Sequence, residues 1–551
     1  MTDSILFWNA VALEANRVSH SDPAKGEQTG PPLSARALAI VHLAMYDAYA
    51  GVENNTTTFP RYLSAPASST AGTTGTHGDA VAGAAFTTLS RLFKTQADFF
   101  ESQLSCFDRK SDRFGFGVKV GEKMLEKRAN DPDARDCGYM VSPGRGRHRP
   151  DPDNPRQGIH APYYGAQSMG FAVTKRHALE QPPFEDNGKP VKEYLDALSQ
   201  VRAEGIMPEL MATLVPDGLF NKRRTPEQTL IGIYWAYDGA NRLGTPPRFY
   251  NQIIRLVAAC VANPDTKKVN TEGDNARLFA FVNAAMGDAG IFSWEQKFCH
   301  DFWRPVLGIR EHDPSFGPAA RLPKDCKGPV DAANEIDDDG DPFWLPLGAP
   351  STNTLVKNFT PPFPAYPSGH ATFGAAAFHI TRLFYGTKTG DRKGDKYFDG
   401  LAVVSEELNG ANQDNRGTVR PRHVRNFKGG LWDMIIENAT SRVYLGVHWI
   451  FDAFTLKGNK PDLDRNVGGV PLGLAIAEDI FGVNGRAPKM TPSNNQTKPP
   501  IETPDPETKG MPTVPKQPGS EKGCANTRMK KKEEAEAVAV KDRYPSGRSP
   551  R

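Results

Sequence analysis

Three short stretches in the second half of the chain carry residues able to grip an oxyanion and move protons beside it. The first, KFCHDFWRP over residues 297–305, sets Lys297 and Arg304 seven positions apart. On one helix that spacing puts both cations within about 20° of one face. Pro305 biases the chain out of helix directly after Arg304. The second, FPAYPSGH over residues 363–370, crowds proline and glycine around Ser368 and His370. Ser368 can cap a following helix, and the freed backbone N–H groups at such a start form an anion site. His370 is then placed to exchange protons with the bound anion. The third, SRVYLGVHWIFD over residues 441–452, sets Arg442 and His448 six apart. One unbroken helix would separate them by about 120°, so a shared ligand requires a bend or stop, and Gly446 is the place for it.

Each stretch alone has a plainer reading: paired surface cations, a short turn, a core histidine. Together they supply three fixed cations, a hydroxyl, an N–H-lined turn and two histidines. That set suits a tetrahedral, multiply charged oxyanion, with one histidine free to bond axially. The tail repeats YPSG at residues 544–547 with Arg548 in the histidine's place. No helix pattern follows that copy, so it reads as chance.

The elements that must position these residues are helices. Pro32 and Ser34 introduce LSARALAIVHLAMYDAYAG, and Asp79 opens AVAGAAFTTLSRLF. Apolar residues recur in both at helical spacing. NARLFAFVNAAMGDAGIFSWEQKF, ATFGAAAFHITRLFYG and LWDMIIENATSRVYLGVHWIFDAF continue the pattern. Strand candidates are few, so an all-α bundle architecture is expected. Residues 135–192 read as a long loop region, and PGRGRHRPDPDNP within it reads as solvated, since acidic residues interleave its cations. From residue 486 the chain turns proline-rich and polar, and a disordered tail over 486–551 is expected.

Composition narrows the function classes. Among 551 residues, 67 Lys+Arg against 64 Asp+Glu leave +3, too balanced for nucleic acid to be the main partner. No apolar run reaches the roughly 20 residues a membrane helix needs, so no membrane partner is expected. MTDSILFWNAVALEANR reads as an amphipathic first helix: Asp3, Asn9 and Glu14 spoil a signal peptide. The compartment stays open, cytoplasmic or secreted by a route without a signal. Cys106, Cys137, Cys260, Cys299, Cys326 and Cys524 form no CxxC pair and read as free thiols.

The ordered set K-x6-R-P, P-S-G-H and S-R-x5-H resembles the signature of the vanadium-dependent haloperoxidases and the type 2 phosphatidic-acid-phosphatase superfamily. The chloroperoxidase branch is matched most widely. FWNAVALEANRVSH, GPPLSARALAIVHLAMYDAY, YWAYDGANRLGTPPRFYNQI, NAAMGDAGIFSW, FPAYPSGHATFGAA, SEELNG and SRVYLGVHWIFDA all resemble it, over about residues 5 to 485. The resemblance implies two four-helix bundles, divided here as 1–215 and 216–485, with vanadate held in the second. It implies that Lys297, Arg304, Arg442, Ser368 and the Gly369 N–H bind equatorial vanadate oxygens, and that His448 is the metal ligand. It gives His370 the acid–base role, has Lys297 assist the bound peroxide, and pairs Asp238 with Arg442. Hydrogen peroxide would be activated by vanadium as a Lewis acid. Chloride or bromide would be oxidised to hypohalous acid, which halogenates an organic acceptor. Phe363 stands where family bromoperoxidases tend to carry a second histidine, and Trp294 matches the chloroperoxidase pocket. An apolar wall of these two would desolvate the halide, and chloride oxidation is the expectation.

Two rivals share these residues. A soluble acid phosphatase would use the same site with His448 as phosphohistidine nucleophile and His370 protonating the leaving group. A calcium-binding helical protein is raised by NEIDDDGDPFW. Aligned with Gly340 at position six, that loop puts Pro346 where an EF-hand needs glutamate, so it reads as an acidic surface loop.

Overall fold

A computed structural model describes residues 3–132, 139–211, 223–320, 336–337 and 339–492. Among these residues there are fourteen α-helices, short 3-10 turns and three two-stranded antiparallel hairpins. The all-α expectation holds. The tail expected to be disordered lies outside the described residues from 493 on, as do Cys137, Cys326 and Cys524; residues 486–492, read with it, are packed instead, Ala487 being buried and Thr491 N donating to Phe171 O at 3.1 Å. Cys106, Cys260 and Cys299 are free thiols.

The helices start where the sequence supplies caps. Thr76 and Asp79 form a reciprocal capping box at His77–Leu92, and Thr271 with Asp274 does the same at Glu272–His300. In the first half Pro31–Glu53, His77–Leu92 and Asp112–Lys127 pack on one another. In the second half Gly369–Phe384 packs on Gly469–Asn484 and Gly430–Tyr444. Helix Glu272–His300 packs on both groups, against Pro31–Glu53 and Gly369–Phe384. It is 29 residues long and buried along almost its whole length. Apolar residues all round such a helix are what a central position demands. Buried apolar side chains from Ile5 to Ala487 accordingly form one contiguous core.

Two local readings change. Lys297 and Arg304 do not share a helix. Helix Glu272–His300 stops at Asp301, whose φ of 50° is left-handed, and Arg304 caps the next helix, Pro305–Arg310. The turn comes four residues before the proline, which instead takes the first position of the new helix, where its missing N–H costs nothing. The bend between Arg442 and His448 is where the sequence puts it. Helix Gly430–Tyr444 ends just before Gly446, whose φ is +71°. A Cβ there would lie 2.5 Å from Gly205 O, so only glycine fits.

The second change concerns the loop read as solvated. His148 is 1% exposed and Asp151 4%. Arg147 bridges to Phe302, His148 N donates to Asp301 O at 2.9 Å, and Trp303 N donates to Gly146 O at 2.9 Å. Arg145 and Arg149 pair with Glu185 and Glu311. The interleaved charges of this loop are satisfied by the fold, not by water.

Candidate oxyanion site

Lys297 projects from the last turn of Glu272–His300 and is fully buried. Its ammonium donates to Pro364 O at 2.9 Å, Ala365 O at 3.0 Å and Pro367 O at 2.5 Å. An ammonium has three hydrogens, so all are committed to the loop that leads into PSGH, and an incoming anion must displace one carbonyl. Burial holds the Lys297 pKa well below its usual value, with Arg304 and Arg442 adding like-charge repulsion.

Arg304 donates from Nε to Phe363 O at 2.9 Å and from Nη1 to Val447 O at 2.7 Å and His448 Nε2 at 2.9 Å. Its Nη2 is buried without a partner. Arg442 donates from Nη2 and Nη1 to the two carboxylate oxygens of Asp238, at 2.7 and 3.0 Å. Its Nε is likewise buried without a partner. Unpaired buried donors are costly; Arg61, Arg149 and Arg277 keep one as well, but these two lie on cations whose charges bear on His448 and His370. Burial lowers Arg304 to about 9, which leaves it charged at neutral pH.

Ser368 caps Gly369–Phe384, its Oγ accepting from Ala371 N at 3.4 Å. The N–H groups of Gly369 and His370 open that helix, where no carbonyl of the same helix can reach them. A Cβ on Gly369 would meet the Trp294 ring at 3.2 Å, so any larger residue there would push the tryptophan a few tenths of an ångström from the helix start.

The two histidines have opposite tautomers. His370 Nε2 lies 2.6 Å from Ala236 O, which can only accept, so Nε2 carries the hydrogen and Nδ1 the lone pair. His448 Nδ1 lies 2.7 Å from Asp452 Oδ2, which also accepts from Trp449 N at 3.0 Å. The hydrogen is therefore on Nδ1, and the lone pair on His448 Nε2 accepts from Arg304 Nη1 at 2.9 Å. A carboxylate behind a histidine in this way fixes the ring and raises its basicity toward a metal. Burial, then Arg442, hold His370 neutral with a pKa of about 3. Burial, then Arg304 and Lys297, hold His448 well below 6.5. Burial pushes Asp452 up to about 7 while Lys297 and Arg304 pull it down; its two N–H donors favour the ionised form.

Trp294 and Phe363 meet with ring centroids 4.7 Å apart. Lys297 Nζ is 5.1 Å from the Phe363 ring and 5.7 Å from that of Trp294. The expected apolar wall therefore borders the cations. Lys297, Arg304, Ser368, Gly369, His370, Arg442, His448, Asp238, Phe363 and Trp294 are thus gathered from six separated segments.

Sequence reasoning passed over three residues here. Asp452 follows His448 by four in the motif, and that spacing was its available signal. His160 packs edge-to-face on Trp294, and its carbonyl accepts the indole N–H at 3.2 Å. His148 has both ring nitrogens buried without partners and is held neutral by burial and by the charges of Arg304 and Lys297. The last two sit in irregular loops, where spacing carries no information.

Fold and site together define a mostly helical protein with three buried cationic side chains gathered beside two neutral histidines of opposite tautomer. The family model described as the VCPO second helical-bundle domain matches residues 277–458, and the vanadium chloroperoxidase N-terminal domain matches residues 1–163. Vanadium chloroperoxidase of Curvularia inaequalis is 37% identical over 608 residues, covering 91% of this chain and 93% of that protein. The chain belongs to the vanadium chloroperoxidase family. Solved structures agree in fold. A bacterial vanadium-dependent iodoperoxidase matches with a TM-score of 0.52 at 17% identity, over 88% of this chain and 97% of that one. An apo-type bacterial vanadium-dependent chloroperoxidase matches with 0.53 at 16%, over 83% and 93%. No helix among the described residues is long and apolar enough to cross a membrane.

Proposed function

We propose that this chain is a vanadate-dependent haloperoxidase that uses hydrogen peroxide to oxidise chloride or bromide, the hypohalous acid then halogenating an organic acceptor. The observation that carries this reading is the pair of unpartnered guanidinium nitrogens, Arg304 Nη2 and Arg442 Nε, beside His448. Vanadate fits that donor set: its anionic oxygens would take charge-assisted bonds from the guanidinium groups, and its metal would accept an imidazole nitrogen. When bound, it supplies Lewis-acid activation of peroxide without a change in the metal's oxidation state.

Arg304, Arg442 and Lys297, with Ser368 Oγ and the Gly369 N–H, would hold the oxyanion's oxygens. His448 Nε2, its ring kept aimed by Asp452, would be the nitrogen offered to the metal. His370 Nδ1, the free lone pair, takes a proton from incoming peroxide and returns one to the departing oxygen. Its low pKa keeps that lone pair available across the neutral range. Lys297, whose ammonium is bonded to three loop carbonyls, would exchange one of them for an oxygen of the bound anion and lend it a hydrogen bond. Phe363 and Trp294 strip water from the halide, which raises its reactivity as a nucleophile. Chloride is the halide this apolar wall selects, with bromide accepted more readily because it is the better reductant.

The same proposal divides the chain into a bundle over 1–215, a site-bearing bundle over 216–485 and a tail over 486–551. The separate family matches to 1–163 and 277–458 support the first boundary.

The test is reconstitution. Chelator-treated protein is given vanadate, peroxide and chloride or bromide with a halogen-trapping dye. Restored halogenation is the expected result. Rapid phosphate-ester hydrolysis with no halogenation would overturn it in favour of a phosphatase using His448 as nucleophile. His448→Ala should abolish tight vanadate retention. His370→Ala should spare binding and lower turnover about 10²- to 10⁴-fold; the reverse pattern would exchange the two roles.

A further inference from the structure

The SEELNG stretch, over residues 405–410, has no part in the site described above, yet it touches the one segment that serves two of the site's side chains. Ala236, Tyr237 and Asp238 follow one another between helices Pro226–Tyr234 and Pro246–Cys260. Ala236 O accepts from His370 Nε2 and thereby sets the tautomer of that ring. The Asp238 carboxylate takes both ends of the Arg442 fork. Between them Tyr237 has φ +47°, the left-handed region that an aromatic residue enters only when its surroundings insist.

Those surroundings come mostly from residues 405–407. Tyr237 N donates to Glu407 Oε1 at 3.3 Å. Glu406 N donates to Tyr237 Oη at 2.9 Å, and Ser405 Oγ donates to Tyr234 O at 2.7 Å. The Tyr237 ring stacks on Phe249 with centroids 4.5 Å apart and planes 6° from parallel. Glu407 is itself fully buried. Its other oxygen accepts from Thr352 Oγ1 at 2.6 Å and Arg420 Nη1 at 2.7 Å. A buried carboxylate is expensive, and this one spends an oxygen on the single N–H that lies between the two residues aimed at the site.

We propose that Glu407 is a positioning residue of the oxyanion site: by holding Tyr237 in its left-handed conformation it aims Ala236 O at His370 and Asp238 at Arg442 together. This rests on the proposed vanadate function. It predicts a coupled defect, since one turn serves a proton-moving residue and an anion-gripping one.

Glu407→Gln tests it. Glutamine offers one acceptor oxygen, which Thr352 and Arg420 claim, and its NH₂ then faces the Tyr237 N–H, donor against donor. The full-length chelator-treated protein is titrated with vanadate by equilibrium dialysis, and turnover is measured separately at saturating vanadate. E407Q should raise the vanadate Kd about tenfold or more, as loss of an outer support does at metal sites, and should also lower kcat. D238N, which disturbs only the Arg442 arm, should raise Kd with a smaller loss of kcat. Adding Tyr237→Gly to E407Q should recover part of the affinity, because glycine takes the left-handed conformation unaided. Glu478→Gln is the control. Glu478 bonds His379 and Arg392 away from the site, and its loss should lower thermal stability alone.

An E407Q protein that loses thermal stability like E478Q but keeps wild-type Kd and kcat makes Glu407 a structural ion pair and overturns the proposal. If E407Q does not fold, Thr352→Val removes one bond from the same carboxylate, and a vanadate Kd unchanged by it also overturns the proposal. A wild-type chain that takes up no vanadate overturns the function and this positioning role together. A wild type that binds, beside an E407Q that binds equally well, sinks the positioning role alone.

Discussion

Arg128 in the first half and Arg304 in the second are both almost fully buried, at 2% and 1% exposure. Arg128 donates from Nε to Asp131, from Nη1 to Gly170 O and from Nη2 to Met169 O, and lies 3.8 Å over the Phe171 ring. Arg382 is satisfied in the same way by Asp395, His379, Asp391 O and Lys393 O. Arg304 and Arg442 instead each keep one nitrogen unpartnered. Burial alone therefore does not mark an anion-binding arginine. Arg128 and Arg382 are saturated by the fold, whereas Arg304 and Arg442 are held by some of their hydrogens and left with others; Arg61, Arg149 and Arg277 also keep a buried Nε unpartnered, so it is the nearness of Arg304 and Arg442 to two histidines that sets them apart. Among the histidines the contrast is between His42 and His370, since His448 also has both nitrogens bonded, by Asp452 and Arg304. His42 has both nitrogens engaged, by Leu38 O and Asn9 Nδ2, while His370 has a bond to one nitrogen that fixes the lone pair on the other.

The contrast breaks most visibly under substitution of the saturated residue. Arg128→Ala leaves two buried carbonyls without their donor and Asp131 with Arg36 as its remaining cation, and should cost about 3–5 kcal/mol of stability in denaturant melts. The protein that remains folded should bind vanadate with unchanged Kd; weakened binding would show that saturation is no guide to role.

A pH effect comes next in size. Burial lowers His42 from 6.5 to about 4. Between those values the unfolded chain binds more protons at this position than the folded one, so stability rises with pH across the window and falls on acidification. Relative to His42→Gln, the native chain should lose about 3 kcal/mol as pH drops from 7 to 4, at about 1.4 kcal/mol per unit. Chemical denaturation of both proteins at several pH values measures this, and parallel curves would refute it.

Arg304→Lys keeps a charge but loses the fork, and should weaken vanadate binding about tenfold to a hundredfold. Its stability should change much less than that of Arg128→Ala, since only Arg304 carries a donor reserved for a ligand. The smallest effect is expected at the halide wall. Phe363→His should shift the ratio of kcat/KM from chloride toward bromide by about tenfold, read from paired halide titrations. An unchanged ratio would leave Phe363 as packing for Trp294.

Much of the site was legible because its residue types are unusual and their local spacing is short. PSGH reads as a capped helix start from four residues, and Ser368 caps Gly369–Phe384. Gly446 reads as a necessary stop because Arg442 and His448 would otherwise diverge. The Lys297–Arg304 geometry was misread, because seven residues are compatible with one helix and nothing in CHDFW announces that Asp301 turns left-handed. The loop carrying His148 was misread because interleaved charge looks the same whether water or Glu311 and Asp301 O answers it.

By itself the sequence determined the helical class, the three motif anchors, the oxyanion chemistry and the aromatic pair, since each depends on residue type at near spacing. Only the tertiary structure decided which hydrogens of Lys297, Arg304 and Arg442 are spent and which are left. It alone fixed the two histidine tautomers, through Ala236 O and Asp452, and brought Glu407 to Tyr237 across 170 residues. The reason is physical: hydrogen-bond saturation and tautomer are set by partners distant in the chain, and no local pattern encodes which carbonyl will arrive.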